Sequence, residues 1–153
     1  MRPALTTIFF KGLLLAVVLG VGACSSPPTD EVAVRERLED LAEAVEDRSA
    51  SGIAGFLAED FTGPSGMNRE LAEAYAHTML SRYSELGVTW TVNSLEIQQD
   101  RARVQLNAVL TGKAMVPGFE GRGRLMAIDL GWRKTGSEWL LVNAQWRSAL
   151  DRP

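Results

Sequence analysis

The chain has 153 residues, room for one domain and a targeting segment. Hydrophobic residues make up 46% and charged residues 23%, which excludes a disordered, collagenous or coiled-coil chain. A single Cys excludes a disulfide framework, a single His leaves little material for a metal site, and a net charge of −3 lacks the basic face that nucleic acid demands. No metal, cofactor or nucleic-acid partner is therefore expected.

The amino terminus has three zones. Arg2 and Lys11 are its only charges, an apolar run follows from Leu13 to Val21, and the zone closes on Gly22-Ala23-Cys24. At 1.5 Å rise per residue that run falls well short of the ~30 Å hydrocarbon core, so it reads as a secretory h-region rather than a permanent span. Val21-Gly22-Ala23-Cys24 resembles the lipobox of bacterial lipoprotein precursors: an aliphatic residue, two small ones that fit extended into a peptidase, then a thiol. An ordinary secretory cleavage site with a Cys beside it is the competing reading, but the only Cys stands where lipidation needs it. The resemblance implies a signal peptide over 1–23, Cys24 as the lipidated first residue of the mature protein, and a tether over 24–29, polar and stiffened by Pro27-Pro28. Ser25, rather than Asp, after the Cys implies the outer membrane, with the domain facing the periplasm. Removing 1–23 takes away two positive charges and no acid, which turns −3 into −5. A body of that charge stands off an anionic membrane.

Thr29 is placed to cap a helix whose first turn carries Asp30 and Glu31. Val34, Leu38, Leu41 and Val45 fall on one face of that helix, which should run to about Arg48. After the break at Ser49-Ala50-Ser51-Gly52, Ile53, Phe56 and Leu57 predict a short second helix ending near Ala58. Gly63-Pro64-Ser65-Gly66 is a turn. Asn68 caps a third helix with Leu71, Tyr75, Thr78 or Met79, Arg82 or Tyr83, and Leu86 toward the core. From Gly87 the period becomes two. Val88, Trp90 and Val92 alternate, Leu95 and Ile97 follow out of phase, and a bulge is expected near Asn93-Ser94. Asp100-Arg101 turns the chain into a strand through Val104, Leu106, Ala108 and Leu110. A long loop spans Gly112 to Gly123, and Arg124–Lys134 with Glu138–Ser148 predicts a last hairpin around Thr135-Gly136-Ser137. The order predicts one α+β domain over 30–150, with three N-terminal helices packed on a curved four-stranded antiparallel meander.

Helix, short helix, Phe56-Leu57-Ala58-Glu59-Asp60-Phe61, helix and meander, closing on Trp132-Arg133-Lys134 and Glu138-Trp139-Leu140-Leu141-Val142, resembles the nuclear-transport-factor-two-like superfamily over residues 30–150. The resemblance implies a cone-shaped, cystatin-like fold with a pocket at its open end and, often, a dimer across the outer sheet face. Functions on this fold range from isomerases and dehydratases to carriers and interaction modules, so fold alone assigns none. Ala127-Ile128-Asp129 is similar to the stretch where ketosteroid-isomerase-like members carry a neutral acid that donates to an oxyanion. The remaining parts are missing: Leu38 stands near the expected first-helix Tyr, and no acid lies between Asp60 and Glu70, where the general base belongs.

Pairing Arg133 with Trp139 puts Asp129 opposite Asn143 and Ala127 opposite Gln145. One face then carries Asp129, Arg133, Asn143, Gln145 and Arg147, a polar set able to line a pocket mouth. The opposite face carries Met126, Ile128, Leu130, Trp132, Leu140, Val142, Ala144 and Trp146. This apolar face either packs under the helices or forms a homodimer contact. Asp129 is a catalytic candidate or one half of a structural pair, the commoner role. Trp90 and Tyr75 are candidate pocket linings, although aromatics more often fill a core. His77 falls on the polar face of its helix and reads as a surface residue. The glycines of Gly118–Gly123 join two strands rather than open a helix, so they make no phosphate loop. Met115, Val116, Pro117 and Phe119 on that loop are a lid, a partner contact or an ordinary loop tip.

Two functions follow. The first is a membrane-anchored periplasmic lipoprotein acting as a non-catalytic module for a protein partner or a small apolar ligand. The second is a small cofactor-free isomerase or dehydratase using Asp129.

Overall fold

The computed structural model describes residues 29–115 and 123–149. The lipobox, Cys24 and the loop tip at 116–122 lie outside the described residues.

Helix α1 (Asp30–Glu46) starts where Thr29 accepts a hydrogen bond from the Val32 backbone N–H, and it buries Val34 and Leu38. It stops before Arg48, which takes a left-handed φ of 56°. Helix α2 (Ala50–Gly55) is capped by Ser49, whose hydroxyl accepts from Gly52 at 3.0 Å. It is shorter than expected. Leu57 and Ala58, read as its end, instead open strand β1 (Leu57–Thr62). Its partner lies more than eighty residues away: Leu141 N donates to Phe56 O at 2.8 Å, and Asn143 Nδ2 donates to Thr62 O at 3.0 Å.

Helix α3 (Arg69–Leu80) begins on Asn68, whose side chain accepts from Leu71 N at 2.9 Å. Its buried residues are Ala72 and Leu80; of the face expected inward, Tyr75 and Met79 do turn toward the sheet, whereas Leu71 is 59% exposed. The helix also ends earlier than the Leu86 boundary, because Tyr83 already pairs with Ala114 across the sheet.

Strands β2 (Tyr83–Gln98), β3 (Arg101–Ala114), β4 (Arg124–Thr135) and β5 (Glu138–Ser148) form the antiparallel meander. The bulge falls at Asn93, where the β2–β3 register shifts, and Gly136 supplies the positive φ of 63° in the last turn. With β1 added in parallel beside β5, the curved sheet has five strands in the order β1-β5-β4-β3-β2, rather than four. The register of the last hairpin is also corrected: Lys134, not Arg133, faces Trp139. Val142 is then an extra residue, after which Gly131 faces Asn143, Asp129 faces Gln145 and Ala127 faces Arg147. One bulged residue reverses the side-chain parity of β5. Trp139 and Leu141 are buried before it and Ala144 after it, while Leu140 shares a face with Arg133.

The helices cover the concave side of the sheet. Val34, Leu38, Phe56, Leu57 and Phe61 pack there with Val104, Leu106, Leu130, Trp132 and Leu141. Trp132 and Trp139 are each 1% exposed, and among the described residues neither indole N–H has a hydrogen-bond partner. Helix α1 runs along this core from the β4–β5 turn to the start of β2. Lys134 Nζ meets Asp30 at 2.6 Å and Arg37 Nε donates to Trp139 O at 3.2 Å at one end. At the other, Glu46 Oε1 accepts from Val88 N at 2.8 Å and Arg48 donates to Tyr83 O at 2.9 Å. Those two contacts occupy backbone groups of edge strand β2 that would otherwise be open for pairing.

Candidate functional site: an apolar cavity with one cation on its wall

Between the helices and the concave sheet face lies a cavity of about 1070 Å³. It sits at the upper end of the range for small-molecule sites. Leu38, Leu41, Ala42 and Val45 of α1 form one wall, and Ala72, Tyr75, Ala76 and Met79 of α3 form another. The sheet contributes Trp90 from β2, Leu106, Ala108 and Leu110 from β3, Met126, Ile128 and Leu130 from β4, and Trp146 from β5.

Burial along the strands locates the opening. On β3, Leu106 is 5% exposed and Ala108 3%, Leu110 is half-buried, and Thr111 is exposed. On β4, Leu130 is buried, Met126 half-buried and Arg124 exposed. The cavity is thus closed near Leu57 and Leu130 and open near Tyr83, Thr111 and Arg124. Tyr75 is 42% exposed and stacks on Trp146, with ring centroids 6.1 Å apart. Val45, near the end of α1, lies toward the same open end.

The lining chemistry is narrow. Among the described residues that line the cavity there is no Asp, Glu, His or Cys; Arg124, Tyr75 and Tyr83 are its titratable members. The five ion pairs among the described residues engage other cations. No group of acids, His and Cys among the described residues is placed to hold a metal ion.

The candidates from sequence divide cleanly. Trp90 and Tyr75 line the cavity. Asp129, Asn143 and Gln145 do not; their expected place at the pocket mouth is corrected. Asp129 pairs with Gln105 across β3, and it accepts from Gln105 Nε2 at 2.9 Å and from Arg103 at 3.3 Å. Gln105 is exposed while its neighbours Val104 and Leu106 are buried, so Asp129 belongs to the outer face. Asn143 holds the end of β1, and Gln145 is exposed opposite Asp129. The apolar set of β4 (Met126, Ile128, Leu130 and Trp132) faces inward, so the face on which a homodimer contact was expected is the inner one. His77 is exposed on α3, and Met115 is 64% exposed at the edge of the loop. The four tryptophans split in two: Trp132 and Trp139 fill the core, Trp90 and Trp146 the cavity wall.

Outside the cavity, Arg133 donates to both carboxylate oxygens of Asp60, at 2.8 and 2.7 Å. That two-pronged bond holds the Asp60 carboxyl below its ordinary value and raises the guanidinium of Arg133. The pair ties β1 to the sheet on its outer side.

Met79, expected on the core side of its helix, lines the cavity; Arg124 was not singled out from the sequence. For Arg124 a signal existed: it keeps the same parity as Met126, Ile128 and Leu130, which puts a charged residue in phase with an apolar face.

Neither a protein-family model nor a curated protein sequence matches the chain. Solved structures do. A proposed dehydratase of the NTF2-like family from Streptomyces avermitilis aligns with a TM-score of 0.71 at 15% identity, over 82% of this chain and 100% of that one. A proposed scytalone dehydratase from Novosphingobium aromaticivorans gives 0.71 at 9% identity, over 78% of this chain and 84% of that one. Bd1075 of Bdellovibrio bacteriovorus gives 0.64 at 15% identity over 75% of this chain, which spans 40% of the length of that protein. Likeness at such identities speaks for architecture, and together with three helices on a curved five-stranded sheet it shows that this chain has the nuclear-transport-factor-two-like, cystatin-like fold.

Proposed function

We propose that this chain is a membrane-anchored periplasmic lipoprotein whose domain is a non-catalytic binding module for an apolar ligand held in the cavity. One observation carries the binding reading: a cavity of about 1070 Å³ whose described lining is aliphatic and aromatic apart from Thr111, Gly112 and Arg124, and offers no carboxylate, imidazole or thiol. Such a wall gains its affinity from buried apolar area.

The anchor rests on Cys24 and its lipobox. Among the described residues no helix is long and apolar enough to cross a membrane. Helix α1 starts at Asp30, beside Lys134 at the closed end, and its 17 residues carry the chain ~25 Å toward the open end.

The solved neighbours that are proposed dehydratases favour a second reading, a cofactor-free isomerase or dehydratase. With Asp129 on the outer face, that reading has to find its acid and base elsewhere.

Native mass spectrometry of the full chain, produced with its leader in a periplasm and extracted gently, tests the proposal. The expected result is a protein carrying extra mass, released from Ala76→Trp, in which the cavity wall is filled from α3. Protein that emerges bare and gains no mass from a bacterial lipid extract sinks the binding reading. Wild-type protein that fractionates with soluble proteins, as Cys24→Ala should, sinks the anchor.

A further inference from the structure

The cavity has one chemical asymmetry. Its described wall is apolar along its length, and Arg124, at the open end, is the only charged residue among the described residues that line it. Most guanidinium and ammonium groups of the domain are committed elsewhere. Arg35, Arg103, Lys113, Arg133 and Lys134 form ion pairs, and Arg37 and Arg48 donate to backbone carbonyls. Arg124 has neither kind of partner among the described residues. It follows Gly123 on β4 and opposes Leu110 of β3, so it stands in phase with the inward-facing Met126 and Ile128.

We infer that the ligand is a long-chain amphiphile with one anionic head, its apolar body lying between α3 and the sheet and its head on Arg124 at the mouth. This inference rests on the binding reading above and adds the charge and the orientation of the ligand. A neutral apolar ligand leaves the guanidinium unused, and a cationic one is repelled by it. An anionic head gains a charge-assisted, two-pronged hydrogen bond without being drawn into the apolar interior, because Arg124 is itself exposed. The closed end, around Leu57, Phe61 and Leu130, then receives the tail, where burial of each methylene is favourable.

The probe pair is 11-(dansylamino)undecanoic acid and its methyl ester, titrated by fluorescence into the full chain in detergent-free nanodiscs. The acid should bind more tightly than the ester. Arg124→Gln should weaken the acid about tenfold and the ester by less than about twofold, and Arg124→Lys should recover most of the loss. Raising the salt should weaken the acid alone. Equal affinity for acid and ester, or an equal loss of both in Arg124→Gln, overturns the anionic-head inference and leaves the apolar binding module standing. If neither probe binds, and Ala76→Trp changes nothing, both fall together.

Discussion

Substitution of Asp129 by Asn is the sharpest check on the outer-face assignment. Asp129 Oδ1 accepts from Gln105 at 2.9 Å and faces Arg103 at 3.3 Å. Asn keeps the amide acceptor for Gln105, so the change removes only the charge that Arg103 meets. The two side chains of that ion pair are 43% and 67% exposed, so water screens them and the pair contributes ~0.5 kcal/mol, with about 1 kcal/mol as an upper bound. For a domain of this size 1 kcal/mol moves the melting temperature by roughly 3–6 °C, and the expected fall is about 2–3 °C. Thermal unfolding followed by circular dichroism reads that shift, and titration with the dansylated acid should give an unchanged affinity. A variant that keeps its melting temperature but loses ligand or turnover refutes the argument, because Asp129 would then reach the cavity. A fall beyond about 10 °C refutes it differently, by showing a network buried rather than solvated.

Two further outcomes are expected. The folded Asp60 carboxyl lies below its ordinary value near 3.8 because Arg133 binds its charged form, so its contribution to stability is complete above that value and is lost as pH falls through the lower folded value. Urea midpoints of wild type and Asp60→Asn should therefore differ at pH 6 and converge below about pH 3.8, and a gap that stays constant with pH contradicts the bond to Arg133. Trp132 is 1% exposed with its N–H unpartnered among the described residues. Trp132→Ala should cost ~3–5 kcal/mol by urea unfolding, whereas Trp132→Phe should cost under ~2 kcal/mol, because it keeps much of the ring and removes a buried donor that makes no bond. Equal losses in the two variants would mean that the indole N–H is in fact bonded.

How much of this was legible in advance follows from what each feature depends on. Thr29 and Asn68 announce their helices because capping acts over three residues, and Val34 and Leu38 mark the buried side of α1 because helical periodicity is local. The break in phase between Val92 and Leu95 exposes the bulge in β2, and Gly136 marks the last turn, since each is a conflict or a requirement within a few residues.

Strand β1 was not legible. Six residues after a short helix show no period of their own, and what makes them a strand is the parallel partner at Leu141 and Asn143. The extra residue at Val142 was hidden for a related reason. Leu140, Leu141 and Val142 are all apolar, so nothing in the pattern says which one leaves the ladder; the sheet decides it by burying Trp139 and Leu141 on one side of the bulge and Ala144 on the other. Together with the one-residue offset that sets Lys134 opposite Trp139, that residue moves Asp129 from Asn143 to Gln145, and the packing of buried Val104 and Leu106 assigns its side of β4 to the outer face. Local sequence thus determined the helices, the turns and the alternation of the strands, while only the tertiary structure decided which face became the cavity, because facing is set by contacts between residues far apart in the chain.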